Sequence, residues 1–111
     1  MNKYRTHNCS ELNEKNIGIK IKLSGWIHRK RDHGNLLFID IRDHFGITQC
    51  VIENKDKNFK VLEKLRPESV ILVEGKVVKR SKETENKDLK TGLIEVKIEN
   101  IKVLSEAKEL P

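Results

Sequence analysis

The fold of this chain is decided by residues 25–49, whose sequence is GWIHRKRDHGNLLFIDIRDHFGITQ. Two turn signals divide the stretch, Asp-His-Gly-Asn at 32–35 and Asp-His-Phe-Gly at 43–46. Clusters of this kind between apolar runs are typical of hairpin turns. The stretch is therefore predicted to form most of a three-stranded antiparallel meander.

The middle run of this stretch alternates between two kinds of side chain. Because side chains on a strand point to opposite faces in turn, Leu37, Ile39 and Ile41 share one face, which we expect to be the core face. Phe38 then stands on the outer face, close to several basic residues. An aromatic ring flanked by cations suits single-stranded nucleic acid, because the ring stacks on a base and the cations hold phosphates. A Phe in a strand more often lies in the core, so these residues alone leave both interpretations open.

Composition limits both the size of the protein and its partners. A chain of 111 residues has the size of one domain, and its net charge of +6 favours nucleic acid first and a membrane surface second. The two cysteines, Cys9 and Cys50, form neither a disulfide framework nor a CxxC metal motif, which favours a reducing, cytoplasmic setting. No apolar run is long enough to span a bilayer, and residues 1–10 contain no signal-peptide core.

The rest of the chain predicts more strands. An alternating strand is expected from residue 17, with a bulge or sharp bend at Gly25, where the alternation breaks. Further strands are expected at 36–43, 47–53 and 69–79, and a fifth from about residue 93.

One or two short helices are expected between these strands. Phe59, Leu62 and Leu65 share one side of a helix that should start near residues 54–56. A second, shorter helix is expected to begin at Ser10, a good N-cap residue. The first of these helices lies between the third and fourth strands.

This layout predicts an all-β fold, a five-stranded Greek-key OB-fold barrel over residues 1–104. Barrels of this kind bind oligonucleotides on the face of strands two and three, where Phe38 and Gln49 lie. Residues 80–91 are charged and lack an apolar period, so we expect an exposed loop there. Residues 105–111 are expected to be a linker.

Catalytic and metal-binding motifs are absent from this sequence. It contains no Gly-rich phosphate loop, no HExxH and no nucleophile elbow. Its histidines have no carboxylate or Cys at the usual ligand spacing, so we expect no metal site. Three aspartates are expected to pair with nearby arginines: Asp32, Asp40 and Asp43 with Arg29, Arg31 and Arg42. The chain alone is therefore not expected to be an enzyme.

Four motifs together resemble the N-terminal anticodon-binding domain of bacterial aspartyl-tRNA synthetases. They are Gly-Trp at 25–26, RKRDHG at 29–34, FIDIRD at 38–43 and GITQ at 46–49. The resemblance extends over nearly the whole chain and includes Thr91-Gly92 and the Leu110-Pro111 ending, which is similar to the family's hinge into its catalytic domain. Val78 and Leu93 depart from the family's pattern.

The resemblance implies a role in anticodon recognition for particular residues. Phe38 would stack on the middle anticodon base, a uridine, and Gln49 would hydrogen-bond the edge of that uridine. Glu95 would contact the first anticodon base. The implied cations at the anticodon loop are Arg29, Arg31 and Arg80. His33 resembles the residue found in relaxed enzymes of the family, which charge both aspartate and asparagine tRNAs.

The resemblance also implies partners and cofactors. This fragment would bind the anticodon stem-loop of tRNA as a monomer and would need no cofactor. Residues 105–111 would lead to a catalytic domain that uses ATP and magnesium to charge tRNA with aspartate. The complete enzyme would be a cytoplasmic homodimer.

Two alternatives come from other classes of protein. One is a general single-stranded nucleic-acid-binding OB-fold protein, which would be expected to carry several stacking aromatic residues. The aromatic count here is low, and one stacking position suits recognition of one base. The other is an interaction module whose basic face binds an acidic protein. Binding to RNA with a steep salt dependence would distinguish nucleic acid from an acidic protein.

Overall fold

The computed structural model describes residues 4–107. Within this range the strands are β1 (Lys20–His33), β2 (Leu36–Arg42), β3 (Ile47–Glu53), β4 (Val70–Lys79) and β5 (Ile94–Ser105). The α-helix of the same range is α1 (Phe59–Lys64), and short 3-10 helices cover Glu14–Asn16 and Lys82–Thr84. The strands close into a barrel in the order β1-β2-β3-β5-β4. The predicted five-stranded barrel, with its helix between the third and fourth strands, is confirmed.

Strand β1 closes the barrel because it pairs on both sides. Its first half is antiparallel to β4 and its second half is antiparallel to β2. Gly25 lies where the two halves meet, and a Cβ atom there would stand 2.3 Å from the backbone oxygen of Arg42. Glycine is therefore required for close approach of the backbones. The expected bulge lies further along, between Ile27 and Arg29.

This bulge decides which residues of β1 face outward. Before it, Ile21, Leu23 and Ile27 are buried in the barrel. An extra residue in a strand moves every later side chain to the opposite face. Arg31 consequently lies beside Phe38 on the outer face, whereas Lys30, opposite Ile39, extends towards α1.

The core fills the barrel with side chains from all the strands described above. The aliphatic face of β2 belongs to it, as predicted, and so do Cys50 and Ile52 of β3. Burial raises the pKa of the Cys9 and Cys50 thiols, which therefore stay protonated. The predicted apolar stripe of α1 also lies in the core: Phe59, Leu62 and Leu65.

Helix α1 is shorter than expected and is held at its C-terminal end by β1. It begins at Phe59 because residues 54–57 form a turn, in which the Asp56 side chain accepts from the backbone N–H of Asn58. At the other end, Nζ of Lys30 donates to the backbone oxygens of three residues. The acceptors are Leu62 at 3.1 Å, Glu63 at 2.8 Å and Leu65.

Two expectations about connecting segments are wrong. Ser10 lies in a turn and caps no helix, because its N–H and hydroxyl both bond to the side chain of Asn8. The 80–91 segment is not uniformly exposed, since Arg80 and Thr91 are 5% and 1% exposed. Of the expected linker 105–111, Ser105 still belongs to β5 and residues 108–111 lie outside the described range.

Candidate nucleic-acid interface

The strand register brings three of the predicted contact positions, Arg29, Gln49 and Glu95, into one row on the outer face. Arg29 pairs with Asp40, and Asp40 pairs with Gln49 on β3. The parallel pairing of β3 with β5 then places Glu95 next to Gln49, since Cys50 is the partner of Val96. This row of side chains crosses four strands and is more rigid than a loop, because each strand is held on both sides.

A chain of hydrogen bonds links the polar side chains of this row. Arg31 donates from Nη1 to Oδ2 of Asp40 at 2.8 Å and from Nη2 to Oδ1 at 3.1 Å. The same Nη2 donates to Oε1 of Gln49 at 2.7 Å. Nε2 of Gln49 donates to Oε1 of Glu95 at 2.8 Å. We call these four residues the amide network.

The amide network allows one orientation of the Gln49 side chain. An arginine can only donate hydrogen bonds, and an ionised carboxylate can only accept them. The carbonyl of Gln49 must therefore face Arg31, and its NH₂ group must face Glu95. Gln49 is 3% exposed, so an unmade hydrogen bond here would cost the desolvation of a buried polar group.

Arg80 supports this site from the β4–β5 loop. Its Nε donates to the backbone oxygen of Ile94 at 2.7 Å, and its Nη1 donates to that of Thr84 at 2.9 Å. Burial lowers the pKa of the guanidinium, and burial also raises the pKa of Glu95 above 4.5. The two hydrogen bonds hold the β4–β5 loop against β5, and Arg80 itself is only 5% exposed.

Two grooves lie on either side of the Gln49–Glu95 hydrogen bond. The first groove, of about 410 Å³, is lined by Gln49, by three arginines and by part of the β4–β5 loop. The second groove, of about 560 Å³, is lined by Glu95 and Lys97 above an apolar floor that includes Val51 and Val78. The row thus divides the outer face into two neighbouring sites, each with a polar group at the dividing line.

Phe38 lies on the predicted face but is more covered than expected. It is outside the contiguous hydrophobic core and is nevertheless only 9% exposed. The ring of His33 packs edge-on against it, with 5.2 Å between ring centroids and an interplanar angle of 78°. The predicted open stacking platform is therefore wrong for this conformation, in which His33 covers part of the ring.

The predicted cations differ in what they can contact. Arg29 is exposed and lines the first groove, whereas Arg31 and Arg80 already donate hydrogen bonds to neighbouring groups of the protein. Of the three expected aspartate–arginine pairs, that of Asp40 and Arg31 is the one seen within residues 4–107. Asp43 instead accepts from the backbone N–H groups of three residues, and Asp32 accepts from that of Gly34.

Asp40 and Val51 were not among the contact residues predicted from the sequence. A signal for Asp40 was present, because counting outward from the 43–46 turn places residue 40 opposite residue 49. Within residues 4–107, no group of three or more His, Cys, Asp and Glu side chains is arranged to hold a metal ion. No helix of this range is long and apolar enough to cross a membrane.

Comparison with known proteins defines the class to which this site belongs. The family model for tRNA anticodon OB-fold nucleic acid binding domains matches residues 21–104. The chain belongs to this family. Over all 111 residues it is also 60% identical to the aspartate–tRNA(Asp/Asn) ligase of Pelagibacter ubique strain HTCC1062. It spans 19% of the length of that ligase.

Solved structures support the same fold. The asparaginyl-tRNA synthetase of Pyrococcus horikoshii is similar with a TM-score of 0.77 and 30% identity, over 95% of this chain and 24% of that one. An OBody bound to hen egg-white lysozyme is similar with a TM-score of 0.80 and 26% identity, over 96% of this chain and 95% of that one. The described barrel thus occurs both as part of synthetases and alone.

Proposed function

We propose that this chain is the anticodon-recognition domain of an aspartate–tRNA ligase and binds the anticodon loop of tRNA. The observation that carries the proposal is the side-chain amide of Gln49, which is oriented by Arg31 and Glu95 at the wall of the first groove. Each end of this amide has capacity for one more hydrogen bond. One free donor and one free acceptor match the edge of a uracil, which offers an acceptor and a donor.

The middle anticodon uridine would stack on Phe38 while its edge meets Gln49. Stacking on an aromatic side chain contributes about 1–3 kcal/mol per base. Because Phe38 is covered by the His33 ring, binding moves His33 aside or replaces its contact with a base. His33 therefore acts at the site through Phe38, which supports its assignment as the residue that affects discrimination between tRNAs.

The first anticodon base would enter the second groove. Glu95 lines this groove at the dividing row, and its carboxylate can accept from the N–H groups of a guanine edge. Val51 and Val78 form part of an apolar floor on which a base can lie. Arg29 is the exposed cation available for phosphate, and Arg80 keeps the β4–β5 loop in place.

The activity of the whole protein is part of this proposal. The parent ligase would charge tRNA with aspartate using ATP and magnesium, which its other domains would bind. It would work in the cytoplasm as a homodimer and accept both aspartate and asparagine tRNAs, and residues 105–111 would begin the linker to its catalytic domain. Support comes from the 60% identity to an aspartate–tRNA(Asp/Asn) ligase. Charging assays with the full-length enzyme on both tRNAs test this part.

Titration of the chain with two RNA stem-loops tests anticodon recognition. One carries the aspartate anticodon, and the other differs only by cytidine in place of the middle uridine. We expect the first to bind about tenfold more tightly, as two hydrogen bonds to a base edge provide. Equal affinity for both would instead favour a general single-strand binder. If an acidic protein displaces the RNA from this chain at constant salt, the result would instead favour an interaction module whose basic face binds an acidic protein.

A further inference from the structure

We propose that Asp40 is a positioning residue that determines, through Arg31, which pyrimidine Gln49 accepts. This inference rests on the proposed function, because it concerns recognition of the middle anticodon base. Asp40 lies opposite Gln49 in the β2–β3 pairing and lines the first groove beside Arg31. Both of its carboxylate oxygens accept from the Arg31 guanidinium, so we expect its effect on the base to pass through Arg31.

The contacts with Asp40 fix the geometry of Arg31. The guanidinium is planar, and its donors have fixed directions. Both oxygens of Asp40 bind it, at 2.8 and 3.1 Å, which fixes its plane. The nitrogen that holds Oδ1 of Asp40 also donates to Oε1 of Gln49 at 2.7 Å. Asp40 thereby aims an N–H group at the Gln49 carbonyl.

The contacts with Arg31 and Glu95 fix the orientation of the Gln49 amide. Rotating this amide by half a turn would place its NH₂ group against the Arg31 donor and its oxygen against the Glu95 carboxylate. Both hydrogen bonds would be replaced by repulsive contacts around a side chain that is only 3% exposed. Because Arg31 is fixed by Asp40, the guanidinium cannot turn away to relieve this contact.

Uracil and cytosine present different edges to the Gln49 amide. Uracil presents an N3–H donor and an O4 acceptor, whereas cytosine presents an N3 acceptor and an N4 amino donor. The order of donor and acceptor is thus reversed between the two edges. A glutamine that can rotate its amide fits both bases, and one whose amide orientation is fixed fits only one. The amide network therefore holds Gln49 in the one amide orientation that pairs with only one of the two pyrimidines.

The Asp40→Asn variant of the 111-residue chain tests this inference. Asparagine keeps the shape but replaces one acceptor with an NH₂ group, so the two-point contact with Arg31 is lost. We expect the preference for uridine over cytidine stem-loops to fall from about tenfold to less than about threefold. The matched control is Glu74→Gln, which removes one negative charge from β4 outside both grooves, and its preference should remain that of the original chain.

A second variant keeps the test decisive if Asp40→Asn disturbs folding. Arg31→Lys retains the charge but cannot hold Asp40 and Gln49 with fixed geometry, so the same loss of preference is expected. Thermal unfolding of each variant shows whether the fold is intact. If both folded variants keep the original preference, the inference is overturned. If the original chain itself has no preference for uridine, the proposed function fails before the variants are compared.

Discussion

Phe38 and Phe59 are almost equally covered, at 9% and 7% exposure, but they lie on opposite sides of the barrel wall. Phe59 belongs to the contiguous hydrophobic core, whereas Phe38 stands outside it and touches His33. Alternation along β2 favoured the outer face for Phe38 but left a place in the core open. It could not predict how exposed the ring is, because the covering ring of His33 comes from the end of β1.

The two phenylalanines give a matched pair of substitutions. Phe59→Ala should lower the free energy of unfolding by about 3–5 kcal/mol, since it leaves a cavity in the core. Phe38→Ala should lower it by only about 1.5–3 kcal/mol, because no enclosed cavity forms on the outer face. It should also weaken stem-loop binding by about 1–3 kcal/mol. Denaturant unfolding and RNA titration measure these quantities. A loss in Phe38→Ala as large as that expected for Phe59→Ala would contradict the placement of Phe38 on the outer face.

Arg29 and Arg31 are neighbours on one face with different expected roles. From sequence, both are candidates for phosphate contact, but Arg31 is neutralised by Asp40 and bound to Gln49. Arg29→Ala should therefore reduce the slope of log affinity against log salt by about 0.7, the value for one phosphate of a single strand. Arg31→Ala should change this slope less and should reduce the preference for uridine. Titrations at several salt concentrations distinguish the two, and equal slopes for both variants would contradict the assignment.

At the level of elements, the bulge of β1 and the short helix α1 are connected through Lys30. Without the bulge between Ile27 and Arg29, Lys30 would face outward and the two arginines would face the core. With it, Lys30 reaches the last turn of α1 and donates to three backbone oxygens. A cation is favourable at the C-terminal end of a helix, and burial lowers the pKa of this ammonium.

Lys30→Met tests this connection. The variant keeps the aliphatic length but leaves the last carbonyl groups of α1 without their donor, so we expect a loss of about 1–2 kcal/mol in unfolding free energy. Lys60→Met, at an exposed position of the same helix, is the control and should have little effect. RNA affinity should change less in Lys30→Met than in Arg29→Ala. A larger effect on RNA binding would place Lys30 in the interface instead.

Local patterns predicted β2 and β3 to within one residue, because β2 alternates from Leu37 to Ile41 and a marked turn separates the two strands. The bulge was expected at Gly25 and lies between Ile27 and Arg29, since a bulge depends on the partner strand and a single sequence shows only that alternation has stopped. Arg80 was expected in an exposed loop. Its burial depends on carbonyl groups of Thr84 and Ile94, which only folding brings within reach.

At the scale of the whole molecule, the inside of the barrel stabilises the fold and its outer face carries the candidate site for a base. Its inside and α1 supply the hydrophobic core, and its outer face carries the amide network between two grooves. Four strands contribute to the row that contains the network, so the Gln49 amide is held before any ligand arrives. Such preorganisation lowers the entropy cost of binding and favours recognition of one base.

A crystal structure of this chain with the anticodon stem-loop of aspartate tRNA tests whether Phe38 and Gln49 recognise the middle base. We expect the middle uridine to stack on Phe38, with the His33 ring displaced. The edge of that base should lie about 2.7–3.2 Å from the Gln49 amide, whose contacts with Arg31 and Glu95 should persist. A stem-loop bound elsewhere on the barrel, or a middle base that does not contact Gln49, would show that Gln49 does not recognise the anticodon.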